Sequence, residues 1–156
     1  MQKFITTLIF FLSFITSPIV CLADNHSFNT NEATLSQISN DFGEIKNGAL
    51  YVTATQAATI LNKYPSIKIL DVRTAWEFDR GHLQDAININ YYWFGFEKKL
   101  NTLDKNTTWL IHCKSGVRSS HTIKKMLKAG FKSLIHLDGG IDAWRDKNLP
   151  VIISKK

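Results

Sequence analysis

The chain has 156 residues, the length of one ordinary domain, and a composition of 44% hydrophobic and 21% charged residues that excludes wholesale disorder and collagen-like repetition. Two cysteines, Cys21 and Cys113, and no C-x-x-C pair exclude a disulfide-stapled miniprotein and half of a structural zinc site. Lys and Arg number 19 against 13 Asp and Glu, a formal +6 scattered along the chain, which implies a mild preference for anions and no more.

Lys3 precedes an uncharged run over residues 4–23, whose apolar centre Leu8-Ile9-Phe10-Phe11-Leu12 gives way to Thr16, Ser17 and Pro18. This is the profile of a secretory signal peptide, 1–23, with Cys21-Leu22-Ala23 placing the cut after Ala23. The expected mature protein begins at Asp24, is exported to the periplasm and has no membrane attachment once cleaved. An uncleaved anchor is the rival reading, weakened by Pro18 and the polar residues around it. Lipid attachment at Cys21 wants a small residue before the cysteine, and Pro18-Ile19-Val20 does not supply one. Cleavage would leave Cys113 as the lone thiol of an exported protein, and the bland account of such a residue is a small buried hydrophobe.

Residues 24–48 are rich in Asn, Ser and Thr, with a weak apolar pattern at Leu35, Ile38 and Phe42, and read as a polar leader carrying one short helix. The domain proper is expected over 49–156. Strand 50–52 leads to a helix over 55–61, opened by a Thr cap and closed before Pro65. Strand 67–72, a helix over 74–80 ended by Gly81, and strand 86–89 follow. A helix over 94–103, the apolar strand 108–112, an amphipathic helix over 119–129 stopped at Gly130, strand 133–137 and a last helix over 141–146 complete the chain. Alternating strands and helices imply right-handed crossovers and an α/β fold, a doubly wound parallel sheet with helices on both faces.

Ligands of such sheets bind beyond the carboxyl ends of the strands, where loops run into helix N-termini. Cys113 stands there, opening the loop Cys113-Lys114-Ser115-Gly116-Val117-Arg118. A short loop with a glycine can turn successive N–H groups inward as a cup for an anion, aided by the helix dipole and by the charges of Lys114 and Arg118. A cysteine at its rim would be a thiolate, the nucleophilic form.

The stretch Cys113-Lys114-Ser115-Gly116-Val117-Arg118-Ser119 resembles the active loop of single-domain rhodanese sulfurtransferases. Ile69-Leu70-Asp71-Val72-Arg73 with Glu77-Phe78 and Gly81-His82-Leu83 looks like the upstream signature of that family, and Gly130-Phe131 through Leu137-Asp138-Gly139-Gly140 to Trp144 like its downstream one. The likeness runs from about residue 50 to 152 in the right order and spacing. Asp85 stands where many members carry Gly before Ala86. The resemblance implies two-step sulfur transfer: Cys113 takes the sulfane sulfur of a small anionic donor such as thiosulfate as a persulfide. It then passes that sulfur to cyanide or a thiol, a protein cysteine included. The loop N–H groups would stabilise the anions, Lys114 and Arg118 would attract the donor, and no metal or organic cofactor is implied.

Two other readings stay open. His112-Cys113 with Arg118 is superficially like the loop of cysteine phosphatases and arsenate reductases, but four residues rather than five separate Cys113 from Arg118. A shorter cup suits one sulfur better than a tetrahedral oxyanion. The second is a rhodanese-like module that binds a partner or senses redox state through Cys113; loss of the cysteine or of the loop glycine would favour it, and both are present.

Asp71 and Arg73 at a strand end read as a pair that ties loops together in support of the site, with Glu77 in the same network, and His82 as a cap of helix carbonyls. His112, His121 and His136 lack ligand-like spacing with Cys113, so a metal site is not expected. The aromatic run Tyr91-Tyr92-Trp93-Phe94 with Phe96 reads as packing rather than pocket wall or docking surface. Lys124, Lys125, Lys128 and Lys132 form a basic stripe without interleaved aromatics, a solvated face rather than a nucleic-acid site.

Overall fold

The computed structural model describes residues 35–154; the signal peptide read at 1–23, Cys21 included, lies outside the described residues. Helix α1 (Leu35–Phe42) buries Ile38, the centre of the weak apolar pattern. Strands β1 (Glu44–Lys46) and β2 (Ala49–Val52) then form an antiparallel hairpin with Lys46 opposite Ala49. Asn47 and Gly48 at its turn both have positive φ, 50° and 80°, the two-residue geometry whose twist matches that of paired strands. Part of what reads as a polar leader is thus built into the sheet. The sequence reading gives no strand at β1 because all three of its residues are exposed, which leaves no apolar alternation to detect.

Helix α2 (Ala54–Lys63) is capped by Thr53, two residues before the expected start: its hydroxyl accepts from the Gln56 N–H, and the Gln56 side chain accepts from the Thr53 N–H. There follow β3 (Lys68–Asp71), α3 (Ala75–Asp79), β4 (Ala86–Asn88), α4 (Phe96–Leu100), β5 (Trp109–His112), α5 (Val117–Lys128), β6 (Leu134–Leu137) and α6 (Gly140–Asp146). Helix α4 is half the expected length, its flanks being turns. Asp85, in place of the glycine, sits at φ 61°, a left-handed conformation that Asp tolerates better than most residues.

The sheet order is β1-β2-β6-β5-β3-β4, with β2, β6, β5, β3 and β4 mutually parallel and β1 an antiparallel edge. Both faces are covered, as the pleat requires. Ile69, Leu110 and Ile135 point into one apolar cluster with Leu50, Ile60 and Trp144, while their neighbours Leu70, Ile111 and Leu134 point into the other with Ile123 and Met126. The central strands β3, β5 and β6 deliver Asp71, Cys113 and the Leu137-to-Gly140 turn to the same carboxyl end of the sheet.

Candidate active site

Cys113 is the first residue past β5 and is 1% exposed. The chain reverses at Gly116, whose φ of 100° caps α5 and suits glycine alone without strain. That reversal directs the Gly116 N–H to Cys113 Sγ at 3.1 Å. Ser119 Oγ lies 3.5 Å from Sγ, and the N–H groups of Ser115 and Ser119 complete the set of donors. Burial pushes the thiol pKa up, but the Ser119 hydroxyl and the N–H groups of Ser119, Gly116 and Ser115 outweigh it and hold the thiol below its ordinary value.

The cup is fixed from behind by α6. The Ile141 N–H donates to Cys113 O at 2.9 Å and the Asp142 N–H to Lys114 O at 3.1 Å. Gly140, at φ 59°, lies so close that a Cβ there would stand 2.5 Å from both carbonyl oxygens. The Gly139-Gly140 pair thus lets a helix N-terminus close on the back of the loop.

Val117 and Arg118 belong to the first turn of α5 rather than to the loop, and Val117 is exposed. Neither Lys114 nor Arg118 is free. Lys114 Nζ lies 2.6 Å from Asp142 Oδ2, an exposed pair of little energetic weight. Arg118 donates bidentately to Glu77 at 2.8 Å through each nitrogen, and its guanidinium lies 5.7 Å from the centre of the Tyr92 ring. The hydrogen bonds from Arg118, with those of Thr74, overcome partial burial and hold the Glu77 carboxyl down at about 2. The depressed thiol pKa therefore rests first on hydrogen-bond donors and not on free positive charge, although Arg118 does sense the Cys113 charge.

Asp71 and Arg73 are fully enclosed, at 0% and 2% exposure. The Arg73 guanidinium spans both Asp71 oxygens and donates to Glu77 O at 3.0 Å and Gly81 O at 2.8 Å. Asn88 Nδ2 holds the Asp71 and Arg73 carbonyls, so the pair fixes the β3–α3 loop beside the cup rather than facing a ligand. His82 Nδ1 meets Phe78 O at 3.1 Å and its ring stacks on Phe78. His112 is buried and held neutral by that burial, with Nδ1 3.3 Å from Cys113 O. Among the described residues no three metal-ligating side chains gather.

Two residues at the cup were given no role there from sequence. Ser119 reads as the end of the loop-like stretch and the start of a helix, and His136 is considered only as a metal ligand and set aside for its spacing. His136 is 2% exposed, with Nε2 2.9 Å from Ser119 Oγ and 3.2 Å from Gly116 O. The available signal is a histidine in the otherwise apolar strand Leu134–Leu137, register-paired with Ile111 two residues before Cys113.

The aromatic run is also corrected. Tyr91 and Phe96 pack together at 5.2 Å, but Tyr92, Trp93 and Phe94 are exposed, as is Trp76, whose ring lies under the Arg80 guanidinium. Trp93 rests on Gly95, where a Cβ would meet its ring at 2.6 Å. A cavity of about 180 Å³ opens beside the loop, walled by Trp76, Arg80, Lys114, Asp142 and Arg145.

The model of the Rhodanese-like domain family matches residues 53–147, which takes in the Asp71–Arg73 loop, the cup and the glycine turn before α6. The chain is 35% identical over 117 residues to "Rhodanese-like domain-containing protein 17" of Arabidopsis thaliana, covering 67% of this chain and 74% of that one. It is 31% identical over 127 residues to the tRNA uridine(34) hydroxylase of Buchnera aphidicola and 28% identical over 116 residues to the "Probable adenylyltransferase/sulfurtransferase MoeZ" of Mycobacterium tuberculosis, but spans only 39% and 29% of those proteins. Among solved structures, a rhodanese-like domain protein from Staphylococcus aureus superposes with a TM-score of 0.58 at 28% identity, covering 67% of this chain and 98% of that one.

Proposed function

The chain belongs to the rhodanese-like domain family, and on that premise we propose that it is a sulfurtransferase working through a persulfide on Cys113. The observation that carries the reading is the cup. A thiol removed from water would ordinarily be the neutral, unreactive form, yet this one is surrounded by donors that only an anion repays.

In the first step the Cys113 thiolate attacks the outer sulfur of an anionic donor such as thiosulfate. The sulfur–sulfur bond of the donor breaks, sulfite leaves with its electron pair, and the new terminal sulfur carries the negative charge. In the second step an acceptor, cyanide in the assay or a thiolate, attacks that sulfur and Cys113 leaves as thiolate. Charge and electrons balance within the donor–acceptor pair, so no external oxidant is needed. The cup's N–H groups stabilise the charge before and after each step without reorganising. With Arg118 and Lys114 engaged by Glu77 and Asp142, they lend the entrance a polarised field rather than bare charge.

We place the enzyme outside the cytoplasm, on the strength of the uncharged run over 4–23 and the Cys21-Leu22-Ala23 cleavage pattern. The decisive measurement is intact mass of purified protein after thiosulfate and desalting, beside a Cys113→Ser control. The expected result is a gain of one sulfur atom in the parent, removed by cyanide and absent in the control. An unchanged mass with Cys113 verified as free thiol would overturn the reading, and phosphate or arsenate substrates would be tried next. Export is checked on the same sample if it is recovered from the periplasm, where the chain is expected to begin at Asp24.

A further inference from the structure

Ser119 Oγ has one proton and two places to put it. Gly116 O lies 2.9 Å away and Cys113 Sγ 3.5 Å away. Gly116 O is already served, however, receiving the Ser120 N–H at 3.0 Å and the Ser120 hydroxyl at 3.0 Å. What decides the matter is the third neighbour, His136 Nε2, at 2.9 Å. If Nε2 were bare it would compete for the Ser119 proton. If it carries hydrogen it donates to Ser119 Oγ and leaves that proton for the sulfur.

Two observations select the second arrangement. Nε2 also lies 3.2 Å from Gly116 O, an atom that can only accept, and 3.4 Å from Ser120 Oγ, whose proton goes to the nearer Gly116 O at 3.0 Å. And Nδ1 is buried with no partner. Placing the hydrogen on Nδ1 would strand a donor in the interior and leave Nε2 bare against a carbonyl, whereas placing it on Nε2 leaves only an unfilled lone pair, the cheaper of the two defects. Burial holds the ring neutral, so a single hydrogen is shared out. Tyr51, its ring centre 4.6 Å from that of His136, walls the imidazole on the far side from the cup.

We propose that His136 is a positioning residue for the nucleophile: its Nε2–H orients the Ser119 hydroxyl so that the hydroxyl donates to the Cys113 thiolate. The relay runs His136 to Ser119 to Cys113, each link one hydrogen bond. His136 touches no reacting atom. Its effect is on the fraction of thiolate, and it rests on the reading of Cys113 as the nucleophile.

The test reads thiol reactivity rather than sulfur transfer, so its failure and the failure of the proposed function are distinguishable. Alkylation of Cys113 by iodoacetamide is followed across pH for the parent, S119A, H136L, H136Q, H136N and the double variant S119A/H136L. Gln carries its amide nitrogen near the Nε2 position, and Asn near Nδ1. S119A and H136L are each expected to raise the thiol pKa by about one unit, which at a pH below the parent thiol's own midpoint, after the gain in intrinsic nucleophilicity, slows alkylation about three- to fourfold. The double variant should match S119A alone, and H136Q should restore the parent profile while H136N does not. Should H136L fail to fold, the H136Q and H136N pair carries the same contrast. Parent-like profiles in H136L or H136N, shifts of H136L and S119A that add, or equal profiles for H136Q and H136N would each overturn the proposal.

Discussion

The site is framed by two strand-end loops held in opposite ways. The loop after β3 is fixed by charge: Arg73 closes on Asp71 with no water between them and ties down the carbonyls of Glu77 and Gly81. The loop after β5 is fixed chiefly by backbone, its Cys113 and Lys114 carbonyls taken by the Ile141 and Asp142 N–H groups and its own N–H groups turned inward on the thiol, with Ser119 Oγ on Gly116 O and the exposed Lys114–Asp142 pair beside them. Under the proposed function the difference follows from what each must do. A loop that binds no reactant can spend its polar groups on itself, as a fully compensated ion pair. A loop that must hold an anion has to keep its donors free for the sulfur, so its carbonyls are anchored from outside. The Glu77–Arg118 bridge links the helices that follow the two loops.

Breaking the charged loop is expected to have the largest effect, and on stability. Arg73→Met strands the Asp71 carboxylate at zero exposure, and losing one partner of a buried pair costs about 3–5 kcal/mol. Thermal unfolding should show a Tm lower by roughly 10–20 °C. Where the variant is still folded, its Cys113 alkylation profile should match the parent, because Arg73 does not contact the sulfur. A stable variant with a shifted thiol profile would mean the two loops are not separable in this way.

Breaking the backbone loop should cost less stability and more chemistry. In Gly140→Ala the new Cβ meets two carbonyl oxygens at 2.5 Å, so either α6 or the cup must retreat. Overpacking of this kind costs about 1–3 kcal/mol. Because the displaced carbonyl is that of Cys113 itself, the thiol profile is expected to move to higher pH and persulfide formation to slow. Chemical unfolding and alkylation of the same preparation separate the two effects, and unaltered alkylation alongside a lower midpoint would show that the cup does not depend on its support.

The two loops also differed in how far they could be read in advance. Asp71 and Arg73 are two residues apart on one strand end, so their pairing is visible from sequence, whereas the Thr74-to-Glu77 capping box is hidden inside the helix expected over 74–80. The cup's inner donors follow from Gly116 before a helix. What pairs with Lys114 and Arg118 does not, since Asp142 and Glu77 lie 28 and 41 residues away and reach the loop only through the sheet order. His136 was missed for the same reason: its neighbour Ser119 is brought to it by the pairing of β5 with β6. The strand β1 is a different case, because its Asn47-Gly48 turn is a strong local hairpin signal that the exposed, polar strand before it obscured. Exposure of Tyr92, Trp93 and Phe94 runs against composition altogether, since an aromatic run is buried more often than not.

Cutting the link should have the smallest effect on stability and the most specific effect on substrate. Glu77 is held at about 2 in the folded chain, below its ordinary 4.5, so its contribution is fully present above the unfolded value and is lost as pH falls from there through about 2. Between pH 5 and 8 the bridge is therefore constant, and acid unfolding is where it registers. Both side chains are largely but not wholly enclosed, and with that screening Glu77→Gln is expected to cost about 1 kcal/mol near neutral pH. The same change releases Arg118 to face the entrance as an unpaired cation. KM for thiosulfate should then fall at low ionic strength and recover as salt is added, while kcat changes less, because the donors at the sulfur are untouched. A KM that rises instead would mean that Glu77 is needed to aim the guanidinium, and that the bridge belongs with the cup's machinery rather than between two independent loops.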